Sequence, residues 1–164
     1  MSPKRSVRRG ATRAHWILAA TLCALEPAAA QAGNNDEILR GRYLVETTGC
    51  NDCHTPGYAA KDGKVDEKLW LTGDAVGWAG PWGTTYATNL RLLMAGMTRQ
   101  QWLVHARSMK PRPPMPWFNL RAMTDADLQA IHAYILSLGP AGAPAPASLP
   151  PGRKAAGPVV QFPE

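Results

Sequence analysis

Cys50-Asn51-Asp52-Cys53-His54 is the stretch on which the reading of this chain turns. A disulfide between cysteines this close would be strained, and its loop is too small to constrain the unfolded chain appreciably. Two thiols one helical turn apart, followed at once by an imidazole, match instead the attachment pattern for c-type haem. The thiols add to the two vinyl groups, and the next side chain lies over the iron as proximal ligand. A structural zinc site normally takes four protein ligands, whereas beyond residue 32 the chain offers only these cysteines with His54, His105 and His132 at irregular spacing. A thioredoxin-like pair would sit in a strand-helix-strand setting, which the flanking residues do not show. The pentapeptide therefore predicts one covalent haem c on Cys50 and Cys53, with His54 on the iron.

Upstream of the motif the chain reads as an export leader. Five of the 18 basic residues, Lys4, Arg5, Arg8, Arg9 and Arg13, precede an apolar run from Trp16 to Leu25. Small residues follow at Ala28, Ala29, Ala30 and Ala32, which suit cleavage after Ala32. The apolar run falls short of the roughly 20 residues that cross a bilayer, so membrane association is expected only if the leader is uncleaved. Cys23 would leave with it. Residues 33–164 then carry 13 basic against 11 acidic side chains, and two haem propionates would bring the mature molecule close to neutral. The basic whole-chain charge of +6 thus gives no support to a nucleic-acid partner. The expected division is a signal peptide at 1–32, a haem domain at 33–140 and a Pro-rich tail at 141–164, in a periplasmic protein.

Downstream and upstream of the haem motif the signals are helical. Asn34 with Glu37 resembles a capping box and predicts a helix over about 35–47. Gly41 in its middle costs about 1 kcal/mol relative to Ala unless another backbone passes close by. Thr98 with Gln101 opens a second helix containing Trp102, Leu103 and Ala106. Thr124 with Asp127 opens a last one, whose Leu128, Ile131, Ile135 and Leu138 keep helical spacing until Gly139-Pro140. The segment from Gly57 to Gly80 is Gly-rich and irregular.

Gly41-Arg42-Tyr43, the Cys50–His54 motif, a Pro-flanked Met115 and a final helix with Tyr134 together resemble the class I cytochrome c pattern, over about 36–140. The resemblance implies an all-α cytochrome c fold, with first and last helices crossing at Gly41 and Tyr134 above the haem. More narrowly, residues 80–86 and Pro114-Met115-Pro116-Trp117 are similar to small cytochrome subunits that take electrons from periplasmic dehydrogenases. The resemblance implies redox protein partners of that kind.

The sixth iron ligand has to be chosen among methionines. Met109 falls at a helix end, Met123 suits a hydrophobic staple with Leu128, and Met94 and Met97 suit a core stretch. Met115 lies in a loop stiffened by Pro111, Pro113, Pro114 and Pro116, whose fixed backbone can hold a thioether at the iron. A soft sulfur ligand raises the potential, as a carrier needs. His105 and His132 read as solvated or edge-of-core helix residues, with bis-histidine ligation as the alternative.

Trp82, Tyr86, Arg91 and Trp117 are candidates for contacting the propionates. Arg107, Lys110 and Arg112 form the most basic local patch, ordinarily a solvated face and alternatively a docking guide. In the tail, Gly142 to Pro146 and Pro150-Pro151 read as an extended linker. Val159, Val160 and Phe162 are apolar enough to dock on the domain or on another subunit. The functional expectation is one-electron transfer between a dehydrogenase-type donor and a downstream acceptor, with no substrate chemically changed. The alternatives are a haem enzyme acting on a small molecule such as peroxide, which a bound Met115 opposes, and a cytochrome subunit tethered within a larger dehydrogenase.

Overall fold

Helix α1 (Glu26–Thr47) opens the described part of the protein, which in this computed structural model covers residues 26–163. Residues 1–25, most of the expected leader, lie outside it. The helix begins earlier than the Asn34 signal predicts, because the Ala-rich stretch before it has high helix propensity and Pro27 is tolerated in a first turn. Asn34 is thus inside α1 rather than its cap. The short helix α2 (Cys50–His54) follows after one turn. Two single 3₁₀ turns, Ala59–Lys61 and Glu67–Leu69, carry the chain across the Gly-rich segment. Helices α3 (Leu90–Ala95), α4 (Arg99–Ser108), α5 (Trp117–Ala122) and α6 (Asp125–Ser137) complete the helical framework.

The caps read from the sequence are in place. Thr98 Oγ1 accepts from Gln101 N, and the Gln101 side chain accepts from Thr98 N at 2.8 Å. Thr124 Oγ1 accepts from Asp127 N at 3.1 Å. Such a cap contributes about 1 kcal/mol by satisfying an otherwise orphaned amide.

Helices α1 and α6 pack across one another at Gly41. A Cβ there would collide with the Ala130 carbonyl and lie 2.7 Å from Tyr134 Cβ, so only glycine lets the two backbones approach this closely. The crossing is tied off by Glu67, which accepts from Tyr134 Oη at 2.7 Å and from Arg42 Nε at 3.1 Å. Burial first, and Glu67 second, push the Tyr134 hydroxyl well above its ordinary pKa. Beneath the crossing, Leu44 and Val45 of α1 meet Leu128, Ile131 and Ile135 of α6, joined by Met94, Trp102, Leu103 and Ala106. Each large side chain buried here contributes about 1.5–3 kcal/mol. Trp102 Nε1 donates to Leu128 O at 2.7 Å, which fixes α4 against α6.

A small sheet accompanies the helices. Strands β1 (Gly77–Gly80) and β2 (Gly83–Tyr86) form an antiparallel hairpin with Gly77 opposite Tyr86, turning through Pro81-Trp82. Strand β3 (Val159–Gln161) comes from the tail and lies parallel to β1, giving the order β2-β1-β3. The tail therefore packs on the domain instead of standing off as a linker. Phe162 sits against both Trp78 and Trp82, with ring centres 6.0 and 5.4 Å apart.

Candidate haem site

Helix α2 sets out the haem motif on one short turn, with Cys50 and Cys53 unbridged and partly buried. Burial is the main cause raising both thiol pKa values above the ordinary 9.0. That is the opposite of a thiol-redox pair, in which a stabilised thiolate is the working species.

The floor under α2 is a relay of buried polar groups. Thr55 Oγ1 donates to Asn51 Oδ1 at 2.7 Å and accepts from Leu71 N at 2.8 Å. Leu71 in turn accepts from Leu90 N at 2.9 Å, which links α2 to the start of α3. His54 is buried, and its Nδ1 lies 2.7 Å from the Thr88 carbonyl oxygen. A carbonyl can only accept, so Nδ1 carries the proton and the Nε2 lone pair is left for a metal. Burial holds the imidazole below its ordinary pKa of 6.5, opposed by the Thr88 bond. It is therefore neutral at pH 7, as a ligating imidazole must be.

A pH dependence follows from that direction. The His54 contribution to stability is complete above pH 6.5, the ordinary value. It is lost as acid brings the pH down toward the lowered folded value, because the unfolded chain binds a proton that the folded chain refuses. Thermal unfolding at pH 6 should take up protons, measured by calorimetry in buffers of different ionisation enthalpy, and the Tm should fall from pH 7 to pH 5. Unfolding without proton uptake would contradict this.

All four residues picked from the sequence, Cys50, Cys53, His54 and Met115, line one cavity of about 500 Å³. That volume is within the ~300–1,000 Å³ that holds cofactor-sized ligands. Its walls include Leu90, Leu93, Leu120, Ile131 and Ile135. An apolar slot with two thiols and a neutral imidazole on one wall and thioethers among the others suits the chemistry of haem c.

Met94, Met109 and Met123 line the same cavity. They are held differently from Met115. Met94 is buried on α3, while Met109 and Met123 are the C-caps of α4 and α5, with their amides bonded back into those helices. Met115 lies between α4 and α5, in the proline loop.

The other polar candidates separate clearly. Of the four proposed propionate contacts, Tyr86 lines the cavity. Trp82 Nε1 donates to Trp78 O and Thr85 Oγ1 instead, at 3.3 and 3.2 Å. Trp117 lies under the Arg121 guanidinium, 4.2 Å from its ring centre. Arg91 is buried and closes the C-terminus of α6, donating to the carbonyls of Leu138 and Gly139 and to Lys68 O. Each of its three nitrogens is engaged on one of these carbonyls, and the side chain is not part of the cavity wall, so it does not face a propionate there.

Arg107 also departs from the solvated-face reading. It donates to Leu120 O, Arg121 O, Met123 O and the Asp125 carboxylate, while Arg121 reaches back to Met109 O at 3.0 Å. Each arginine thus closes the end of the other's helix, a use of C-terminal carbonyls that charge patterning does not reveal. His132 is buried, with Nε2 3.0 Å from Met97 O, whereas His105 is half-buried and lines the cavity.

Two contributors escaped the sequence. Thr88 acts through its backbone carbonyl, so its side chain carries no signal. Asn89 was readable as a helix cap; it accepts from Leu92 N at 3.0 Å and also donates to Ala141 O and Ala143 O in the tail.

The family model described as cytochrome c matches residues 38–139, from the middle of α1 to just past the end of α6. The chain is 30% identical over 132 residues to the fructose dehydrogenase cytochrome subunit of Gluconobacter japonicus, covering 74% of this chain and 25% of that protein. It is 30% identical over 121 residues to a nicotinate dehydrogenase subunit of Pseudomonas putida, covering 68% of this chain and 9% of that protein. The chain thus spans a quarter or less of the length of these curated relatives. No solved structure matches it significantly. With the haem motif, the helix crossing and the apolar cavity in one place, the chain belongs to the cytochrome c family, which makes it a covalent haem c protein of electron transport.

Proposed function

We propose that the mature chain works in the periplasm, after cleavage following Ala32, and passes single electrons from a dehydrogenase-type donor to a downstream acceptor. The leader sequence supports export, and the relatives named as dehydrogenase subunits support a donor of that class. Among the described residues no helix is long and apolar enough to cross a membrane. Haem, when bound, supplies a one-electron couple. Cys50 and Cys53 would hold it through thioether bonds, His54 and Met115 would ligate its iron, and the apolar walls would keep water away. In this reading the chain is a carrier, because a Met115 thioether on the iron would leave no open coordination position for a small-molecule substrate.

The observation that carries the assignment is the His54–Thr88 bond. It fixes the tautomer with Nε2 free, on a cavity whose wall also holds Met115. The test is extraction with acidified organic solvent. The pigment should stay on the polypeptide, and Cys50→Ser or Cys53→Ser should cut the yield of pigmented protein severely. Release of free haem from the parent would end the assignment. Whether the carrier diffuses or is held as a subunit is read from co-purification: a dehydrogenase chain eluting with it at high salt identifies a subunit.

A further inference from the structure

The Met115 loop is held by parts of the chain distant from it in sequence. Thr85 on β2 has one hydroxyl proton, and its Oγ1 lies nearest Pro113 O, at 2.5 Å. Arg112, three residues before Met115, donates through one nitrogen to Trp82 O and to Leu149 O, each at 3.0 Å. One side chain therefore joins the loop both to the hairpin turn and to the tail.

The tail is itself fixed at that point. Leu149 and Thr84 exchange both backbone hydrogen bonds, at 2.8 and 3.0 Å. Gly83 makes room for this, since a Cβ there would collide with Leu149 O and lie 2.7 Å from the Pro150 carbonyl carbon. Beginning ten residues on from Leu149, β3 pairs with β1, and Phe162 packs on the hairpin tryptophans. Core burial does not explain this arrangement, because Arg112 and most of the tail are exposed. A Pro-rich segment with so few apolar groups would otherwise stay extended and free.

We infer that Arg112 and Thr85 are positioning residues for Met115, and that the C-terminal tail is a strap whose Leu149 carbonyl is the fixed point against which the loop is held. The inference rests on the ligation of Met115 proposed above. Proline fixes the internal shape of the loop but not its placement on the domain. Placement comes from the hairpin and strap, so the sulfur is kept at the iron by contacts outside its own loop. Without them the loop swings away more often, and small ligands reach the sixth position.

The test uses haem-loaded protein in five forms: parent, Arg112→Gln, a chain ended after Pro146, Arg153→Gln and Met115→Ala. Arg153→Gln removes the same charge four residues beyond Leu149, and the Arg153 side chain makes no hydrogen bond among the described residues. Two readouts are taken, the rate of carbon monoxide binding to the reduced protein and the thioether–iron absorption band of the oxidised protein. Arg112→Gln should bind carbon monoxide about tenfold faster than the parent, the factor expected for losing charge-assisted bonds to two carbonyls. Its thioether band should weaken, the shortened chain should behave at least as openly, and Arg153→Gln should match the parent. Met115→Ala sets the limit of an open site. If Met115→Ala opens the site while Arg112→Gln and the shortened chain match the parent, the strap is overturned and the ligand assignment stands. If Met115→Ala itself matches the parent, the ligand assignment falls and the strap with it. If the shortened chain does not mature, Arg112→Gln decides alone.

Discussion

Met115→Ala lowers the reduction potential by on the order of 0.1 V or more, a modest part of the ~0.8 V that axial ligands span. A thioether favours ferrous iron, and alanine leaves a position that water takes in the oxidised protein, which favours the ferric state. The same change admits carbon monoxide and brings out peroxidase-like turnover that is slight in the parent. Met109→Ala and Met123→Ala are the informative controls. Both line the cavity, but each caps a helix through its own backbone, so truncation costs packing, about 2–5 kcal/mol for a buried methionine and less here where they are half-buried. Their potentials should stay near that of the parent in a protein film titration. A parent potential in Met115→Ala, with a shift in Met109→Ala, would move the ligand to Met109.

Gly41→Ala is the change with the greatest expected effect on folding. The added methyl has no free volume, since its position overlaps the Ala130 carbonyl and crowds Tyr134 Cβ at 2.7 Å. Both neighbours are on α6, one of them backbone, so the helices must part. The cost should reach at least the upper end of the ~1–3 kcal/mol range for overpacking, against a total stability of ~5–15 kcal/mol for a domain. With roughly 2–8 °C lost per kcal/mol, the Tm should fall by about 10 °C or more. Gly41→Val should not mature at all. A thermal melt of Gly41→Ala that overlays the parent would show that the helices do not meet at this residue.

That another backbone passes at Gly41 was legible because a glycine in mid-helix is costly and needs a reason; that the partner is the last helix, at Tyr134, was implied only by the resemblance to the class I cytochrome c pattern. The haem wall was legible for a similar reason: Cys50, Cys53 and His54 act through side chains whose spacing is itself the signal. Met115 stood out by its prolines, and the cavity does gather it with the motif, along with three other methionines that the sequence could set aside only by their helical context.

What the sequence concealed was work done by backbone atoms and by long-range pairing. Thr88 orients His54 through a carbonyl that any residue would possess. Arg91 and Arg107 look like surface or propionate-binding charges until the carbonyls they close are seen, and those are contributed by residues 13 to 48 positions away. The sheet was hidden because β3 is three residues long and pairs with a strand more than 70 positions earlier, leaving only Val159-Val160 as a local trace.

Whether one c-type haem is held between His54 and Met115 is decided by the optical spectrum of the purified protein in both redox states, with and without carbon monoxide. Ligation by both residues predicts the sharp reduced bands of a six-coordinate c-type haem, a thioether–iron band in the oxidised form, and only a slow change when carbon monoxide is added. Broad five-coordinate bands that shift at once on adding carbon monoxide would contradict it, and would put a small-molecule haem enzyme in place of the electron carrier.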